Sequence, residues 1–133
     1  TRGLPMLNAN PDIVVDRGGQ REFCGGAVAQ LYERMGGTVH AFGKPHPPVY
    51  DMARRRMAEA GGTDISDSRI LAVGDGILTD VKGAIGEGID ALFITGGLAA
   101  AEIHVDGQPD PARLDAFVNQ EGLSPAYAMG MLR

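Results

Sequence analysis

An α/β fold built on a largely parallel sheet is what this sequence predicts, and three observations predict it. Short apolar runs of strand length, at 38–42, 69–73 and 90–95, alternate with longer segments whose apolar residues recur at helical spacing. Glycine pairs separate them, at Gly36-Gly37, Gly61-Gly62 and Gly96-Gly97. The runs at 69–73 and 90–95 are close to continuously apolar, as expected of strands covered on both faces. Strand and helix in alternation, joined by short links, is the pattern of βαβ units.

In chain order, Met6-Leu7-Asn8-Ala9 reads as a short strand stopped at Asn10-Pro11-Asp12, because the residue before proline is pushed away from helix. Ile13-Val14-Val15 is a second β run, ended by the turn signal Asp16-Arg17-Gly18-Gly19, with 20–23 as an irregular returning arm. Ala27, Val28, Leu31, Tyr32 and Met35 share one helical face. The strand at 38–42 delivers Gly43-Lys44-Pro45 at its end. Pro47 and Pro48 suit a helix first turn, where a missing N–H costs nothing, and that helix runs to Gly61. After the strand at 69–73, a helix capped by Thr79 is expected to run to about Gly88. A short helix at 98–103, a loop at 106–109, a helix capped by Asp110 and a last strand at 127–131 complete the chain.

A chain of 133 residues can bury one real core, and 44% hydrophobic with 22% charged residues is a globular composition. The net charge of −5 argues against a nucleic-acid surface. The one basic cluster, Arg54-Arg55-Arg56, reads as a solvated helix face. Cys24, the single cysteine, excludes a disulfide within the chain. No apolar run approaches the roughly 20 residues of a membrane span, so neither a membrane nor a nucleic acid is an expected partner and the cytoplasm is the expected location. The opening Thr1, followed by Arg2-Gly3-Leu4-Pro5, reads as a helix ending and handing over to a strand, as in a sequence met midway.

The chemistry converges on Leu71-Ala72-Val73-Gly74-Asp75-Gly76-Ile77-Leu78-Thr79-Asp80. In parallel sheets ligands bind beyond the carboxyl ends of the strands, so Asp75 and Asp80 are expected to face one crevice. Lys44 follows the end of another strand and is one of two lysines against ten arginines. One ammonium and two carboxylates at a shared sheet edge is equipment for Mg²⁺-assisted phosphoryl transfer, which depends on positioning and charge neutralisation. His40 reads as a packed strand histidine, His104 has no partner at metal-ligand spacing, and Gly25-Gly26 opens a helix whose N–H groups could hold an anion.

The segments Gly43-Lys44-Pro45-His46-Pro47-Pro48-Val49-Tyr50 and Gly74-Asp75-Gly76-Ile77-Leu78-Thr79-Asp80 resemble the third and fourth motifs of the haloacid dehalogenase-like (HAD) superfamily. Asn10-Pro11-Asp12 and Thr95-Gly96-Gly97 are similar to those of subclass IIA, the sugar- and nucleotide-phosphatase-like group with a large α/β cap. The resemblance implies a Rossmann-like core and hydrolysis of a phosphate monoester through an aspartyl-phosphate. By position it implies that Asp75 binds Mg²⁺, that Asp80 supports the metal and the lysine, and that Lys44 orients the nucleophile and offsets phosphate charge. Asn10, Asp12, Lys44 and His46 become the expected contacts to a small phosphorylated metabolite, with the Asp16–Gln20 turn beside them.

The family's nucleophile lies in an Asp-x-Asp-Gly-Thr/Ser motif after the first core strand, and this sequence contains none. The chain is therefore expected to be the C-terminal half of such a protein: residues 1–23 the end of the cap, 24–133 the second half of the core. Two expectations follow, that the chain alone does not turn over phosphate esters, and that an exposed sheet edge favours pairing between copies. The rival is a non-catalytic acidic α/β module serving partner binding or regulation. A dinucleotide-binding reading is weaker, since the 74–79 segment lacks the third glycine of that fingerprint.

Overall fold

The computed structural model describes residues 3–132; Thr1, Arg2 and Arg133 lie outside the described residues, and with them part of the helix-to-strand reading of Arg2-Gly3-Leu4-Pro5. The first portion holds β1 (Met6–Asn8), β2 (Val14–Arg17), β3 (Gln20–Phe23), α1 (Gly25–Arg34) and β4 (Val39–Ala41). β1 and β4 pair in parallel, Met6 opposite Val39 and Asn8 opposite Ala41, with α1 in the crossover between them. β2 and β3 form an antiparallel hairpin, Val14 opposite Phe23 and Arg17 opposite Gln20. Its two-residue loop places Gly18 and Gly19 at φ of 56° and 81°, the left-handed pair that matches the twist of hairpin strands and that side chains resist.

The expected division between 1–23 and 24–133 cuts through the β1–β4 ladder. Hydrogen bonding ties β4 to the first strand with α1 in the crossover between them, and no strand of the later portion pairs with either strand among the described residues.

The second portion begins with α2 (Pro47–Gly61), started by two prolines in its first turn and ended by Gly62 in the left-handed conformation. A three-stranded parallel sheet follows in the order β5 (Leu71–Gly74), β6 (Asp90–Ile94), β9 (Tyr127–Met129). Between β5 and β6 lie a π-helical turn, Ile77–Val81, and α3 (Lys82–Gly86). Between β6 and β9 lie α4 (Ala100–Ile103), a small hairpin of β7 (His104–Val105) and β8 (Gln108–Pro109), and α5 (Pro111–Glu121). The Asp110 side chain accepts from the Arg113 N–H at 2.9 Å, capping α5 as its position before Pro111 predicts.

β6 is the centre of the packed region. Ala91 and Phe93 on one of its faces are buried with Val81, Ala84, Ile89, Ala99 and Ile103. Phe93 stacks on Phe117 of α5, with ring centroids 6.1 Å apart and planes 7° from parallel.

Four local expectations are corrected. β5 is the edge of its sheet rather than a strand covered on both faces, so Leu71 and Val73 are 46% and 45% exposed. Thr79 caps no helix: it lies inside the π turn, whose first residue follows Gly76, and its side chain makes no cap bond. The 106–109 loop is the tip and returning arm of the β7–β8 hairpin, turned by Asp106 and Gly107 at φ of 50° and 76°. His40 is exposed, on β4, which among the described residues is paired on one side only. No helix among the described residues is long and apolar enough to cross a membrane.

Candidate active site

Two strand ends deliver the charged groups. β4 ends at Ala41, and Gly43-Lys44-Pro45 turns from it into α2, with the His46 N–H donating to the Gly43 carbonyl at 3.0 Å. β5 ends at Gly74, which puts Asp75 at its carboxyl end. The π turn then brings Asp80 back over that end: the N–H groups of Asp80 and Val81 both donate to the Gly76 carbonyl, at 2.8 and 3.1 Å. Such widened turns recur at functional sites, because one extra residue re-aims the side chains that follow.

The Lys44 ammonium is hydrogen-bonded and ion-paired to Asp80 Oδ1. Asp80 Oδ2 accepts from the Gly76 N–H at 3.0 Å, so both oxygens of this carboxylate, 11% exposed, are engaged within the protein. Partial burial alone would push the Lys44 ammonium towards its neutral form, and that is the largest single influence on it. The Asp80 hydrogen bond, with the charges of Asp80, Asp12 and Asp75, outweighs it and holds the pKa above that of an ordinary lysine. Lys44 thus contacts Asp80, and the charges of Asp75 and Asp12 also reach the ammonium, but the strands that deliver Lys44 and Asp75 belong to two different sheets and not to the one shared edge expected.

Asp75 is held from the other side. Its Oδ2 accepts from the Leu98 N–H at 3.1 Å, in the loop that follows β6. Gly97 makes this approach possible, because a methyl group there would overlap the Asp75 carboxylate. No hydrogen bond engages Asp75 Oδ1 among the described residues, leaving an oxygen that can face a ligand. The donor set suits a hard cation in this way: one free carboxylate oxygen at Asp75 with Asp80 behind it, and further oxygens from water and substrate, as Mg²⁺ commonly prefers. Among the described residues no group of three or more His, Cys, Asp or Glu side chains could hold a metal unaided.

A cavity of about 880 Å³ opens beside these groups, walled mostly by apolar side chains such as Ile13, Val14 and Ile77, and reached by Asp12, His46 and Asp75. His46 sits at the N-cap of α2 with its side chain at this cavity and no side-chain cap bond. Asn10 is exposed and outside the cavity wall; its side chain accepts from the Asp12 N–H at 3.1 Å, shaping the turn that presents Asp12. Gly26 offers no anion site, as its N–H is spent on the Asp12 carbonyl at 3.0 Å. His104 is no ligand either: its Nε2 shares a 2.9 Å hydrogen bond with Thr95 Oγ1, and that hydroxyl donates to the Met129 carbonyl at 3.2 Å.

A family model described as HAD-hydrolase-like matches residues 41–120, more than half of the chain and both motif segments. The chain belongs to the HAD-like hydrolase family. Among solved structures, a haloacid dehalogenase-like family hydrolase from Brucella suis is 42% identical, with a TM-score of 0.75 over 96% of this chain and 44% of that one. A HAD-superfamily protein from Cytophaga hutchinsonii, described as a possible sugar phosphatase, aligns at a TM-score of 0.73 with 22% identity, over 96% of this chain and 42% of its own. A p-nitrophenyl phosphatase from Archaeoglobus fulgidus aligns at 0.63 with 23% identity, over 96% and 44%. At those lower identities the likeness is one of fold. The HAD-like chain thus spans less than half the length of these solved relatives. No curated protein sequence matches it.

Several contributors escaped the sequence reading. The Leu98 and Gly76 N–H groups are backbone donors and carry no residue signature. Asn8, buried at 6%, accepts from the Asn10 N–H at 3.2 Å and has no motif of its own. The Thr95 hydroxyl sits in a segment singled out by resemblance, but its partners His104 and Met129 are distant in sequence.

Proposed function

We propose that this chain supplies the lysine and acidic half of a Mg²⁺-dependent phosphate-monoester hydrolase of subclass IIA type, working through an aspartyl-phosphate. The observation that carries the reading is the contact of the Lys44 ammonium with Asp80 beside Asp75 at the ends of two strands. In this reading Asp75 offers its free oxygen to the ion, and bound Mg²⁺ supplies charge neutralisation at the phosphoryl group. Asp80 fixes the Lys44 ammonium, which offsets phosphate charge and orients the attacking carboxylate. Asp12 and His46 face the leaving group of a small phosphorylated metabolite, and Asn10 holds Asp12 in place. The nucleophilic aspartate is not among these 133 residues, so the chain alone binds the ion without turning over substrate. We place the boundary between cap and core near Gly43, after the β1–β4 ladder, and assign the protein to the cytoplasm. The unpaired edge of β5 is the surface at which copies would associate.

Mg²⁺ titration of the labelled chain tests this. Carbonyl and carboxyl resonances at Asp75 should move most, those at Asp80 less, and the effect should vanish in Asp75→Asn. Mg²⁺-dependent hydrolysis of an aryl phosphate by the purified chain would overturn the inactivity, and a silent Asp75 would overturn the metal role. The engagement of both Asp80 oxygens favours a second reading, a non-catalytic acidic module for partner binding or regulation. A silent Asp75 together with an intact Lys44–Asp80 pair would select it.

A further inference from the structure

The segment Thr95-Gly96-Gly97-Leu98 sets the position of Asp75, and it is held at both ends. At its start the buried Thr95 hydroxyl donates to the Met129 carbonyl and meets His104. At its end the Leu98 carbonyl accepts from Arg21 Nη2 at 3.3 Å, across 77 residues of sequence. Arg21 belongs to β3, in the hairpin of the first portion, and is aimed by a bidentate grip on Asp16 at 2.9 and 3.1 Å. A guanidinium anchored at one fork keeps its remaining donors in a fixed direction. The two polar groups of Leu98 therefore face two different portions of the molecule: its C=O faces the hairpin and its N–H faces the Asp75 carboxylate.

We propose that Arg21 is a positioning residue for Asp75, acting through Leu98: by holding the carbonyl on one side of the Leu98 Cα it restrains the residue whose N–H, in the preceding peptide, orients the carboxylate. The hairpin and the metal-binding strand end are thereby coupled, and seating of the hairpin completes the alignment of Asp75. This rests on the metal role of Asp75 only for its consequence, since the hydrogen-bonded relay itself is independent of any ion. Three residues contribute: Asp16 aims Arg21, Arg21 holds Leu98, and Gly97, with no side chain, leaves room for the carboxylate.

The test uses the labelled 133-residue chain and its variants Arg21→Ala, Arg21→Lys and Asp16→Asn. Loss of one net hydrogen bond should raise the exchange rate of the Leu98 amide about fivefold in Arg21→Ala and shift the Asp75 carboxyl carbon, while the amides of Leu92 and Phe93 in β6 keep their rates. Arg21→Lys retains one donor and should restore most of the Leu98 protection. Asp16→Asn leaves the guanidinium in place and should change Leu98 less than Arg21→Ala does. An unchanged Leu98 rate and Asp75 signal in Arg21→Ala would overturn the proposal, as would equal acceleration of the β6 amides; an equal loss in Asp16→Asn would support it and make the aiming carboxylate as important as the guanidinium. Mg²⁺ titration of the same samples separates the two readings: an ion that fails to move Asp75 in the unsubstituted chain sinks the metal role and leaves the relay judged on Leu98 alone.

Discussion

The two portions of the molecule are held together by different physics. From β5 onward, burial dominates: the clustered core of Val81, Ala84, Ile89, Ala91, Phe93, Ala99 and Ile103 lies wholly there. Before Gly43, the buried side chains among the described residues are Ala29 and Asn8, while Leu7, Phe23, Leu31 and Met35 are 70%, 83%, 58% and 73% exposed. That portion keeps its shape through strand ladders, turns and polar contacts. Lys44 stands where the two meet, so the candidate site joins a well-packed wall to a lightly packed one. The difference implies that the Asp75 side of the site is rigid by itself, whereas Asp12 and the hairpin depend on their hydrogen bonds.

The largest expected contrast is between core side chains and their exposed counterparts. Phe93→Ala should destabilise the chain by about 3–5 kcal/mol in urea unfolding, because it removes a fully buried ring and its stacking partner's contact. Leu31→Ala on α1 should cost less than about 1 kcal/mol. Equal effects would break the division into a burial-held and a ladder-held portion.

A second contrast sharpens the site. Gly97→Ala should cost about 1–3 kcal/mol and abolish any Mg²⁺ response at Asp75, as the methyl group must displace the carboxylate. Gly86→Ala meets nothing within 4 Å and should leave stability unchanged or raise it by about 0.5 kcal/mol. Next in size is Arg54, which ties α2 to Asp67 at 2.9 Å and to Glu87 at 2.7 Å. Its two carboxylate partners keep the guanidinium protonated at any working pH. Arg54→Ala should cost about 1–3 kcal/mol with no change in Mg²⁺ response, since these contacts lie away from Asp75.

How far the sequence could be read follows the same division. The ordered core was legible because its strands and helices obey local rules: paired prolines open α2, Asp110 and Pro111 open α5, glycines end both. The Lys44–Asp80 contact was legible only in part: each residue follows a strand end, but β4 and β5 lie in different sheets, so the shared sheet edge that the sequence suggested is not what brings them together. The exposure of Leu71 and Val73 was not, since an apolar run reports fitness for burial and is silent on what covers it. The π turn was hidden because its defining bonds join backbone atoms five residues apart, leaving Thr79 to look like a cap. The reach of Arg21 to Leu98 was hidden for another reason, as it depends on how the hairpin docks and no local pattern encodes that.

The smallest expected effect concerns alkaline pH, and it separates the two groups nearest the junction. The Lys44 pKa is raised in the folded chain, so its contribution to stability is complete below the unfolded lysine value and is lost as pH rises through the folded one. Tyr50 behaves with the same sign: burial first, then the charges of Asp80 and Glu87, raises its phenol, and the unfolded chain releases that proton first. Stability should therefore fall above about pH 10. The gap between the native sequence and Lys44→Met should narrow from about pH 9 to about pH 11, because the lysine loses the charge that the variant already lacks. Half-exposure of Lys44 keeps this gap small through solvent screening. Tyr50→Phe should flatten the same limb without touching the Lys44–Asp80 pair. A gap for Lys44→Met that stays constant across that range, measured by urea unfolding, would mean the ammonium gains nothing from the acids beside it, and the junction would be held by packing alone.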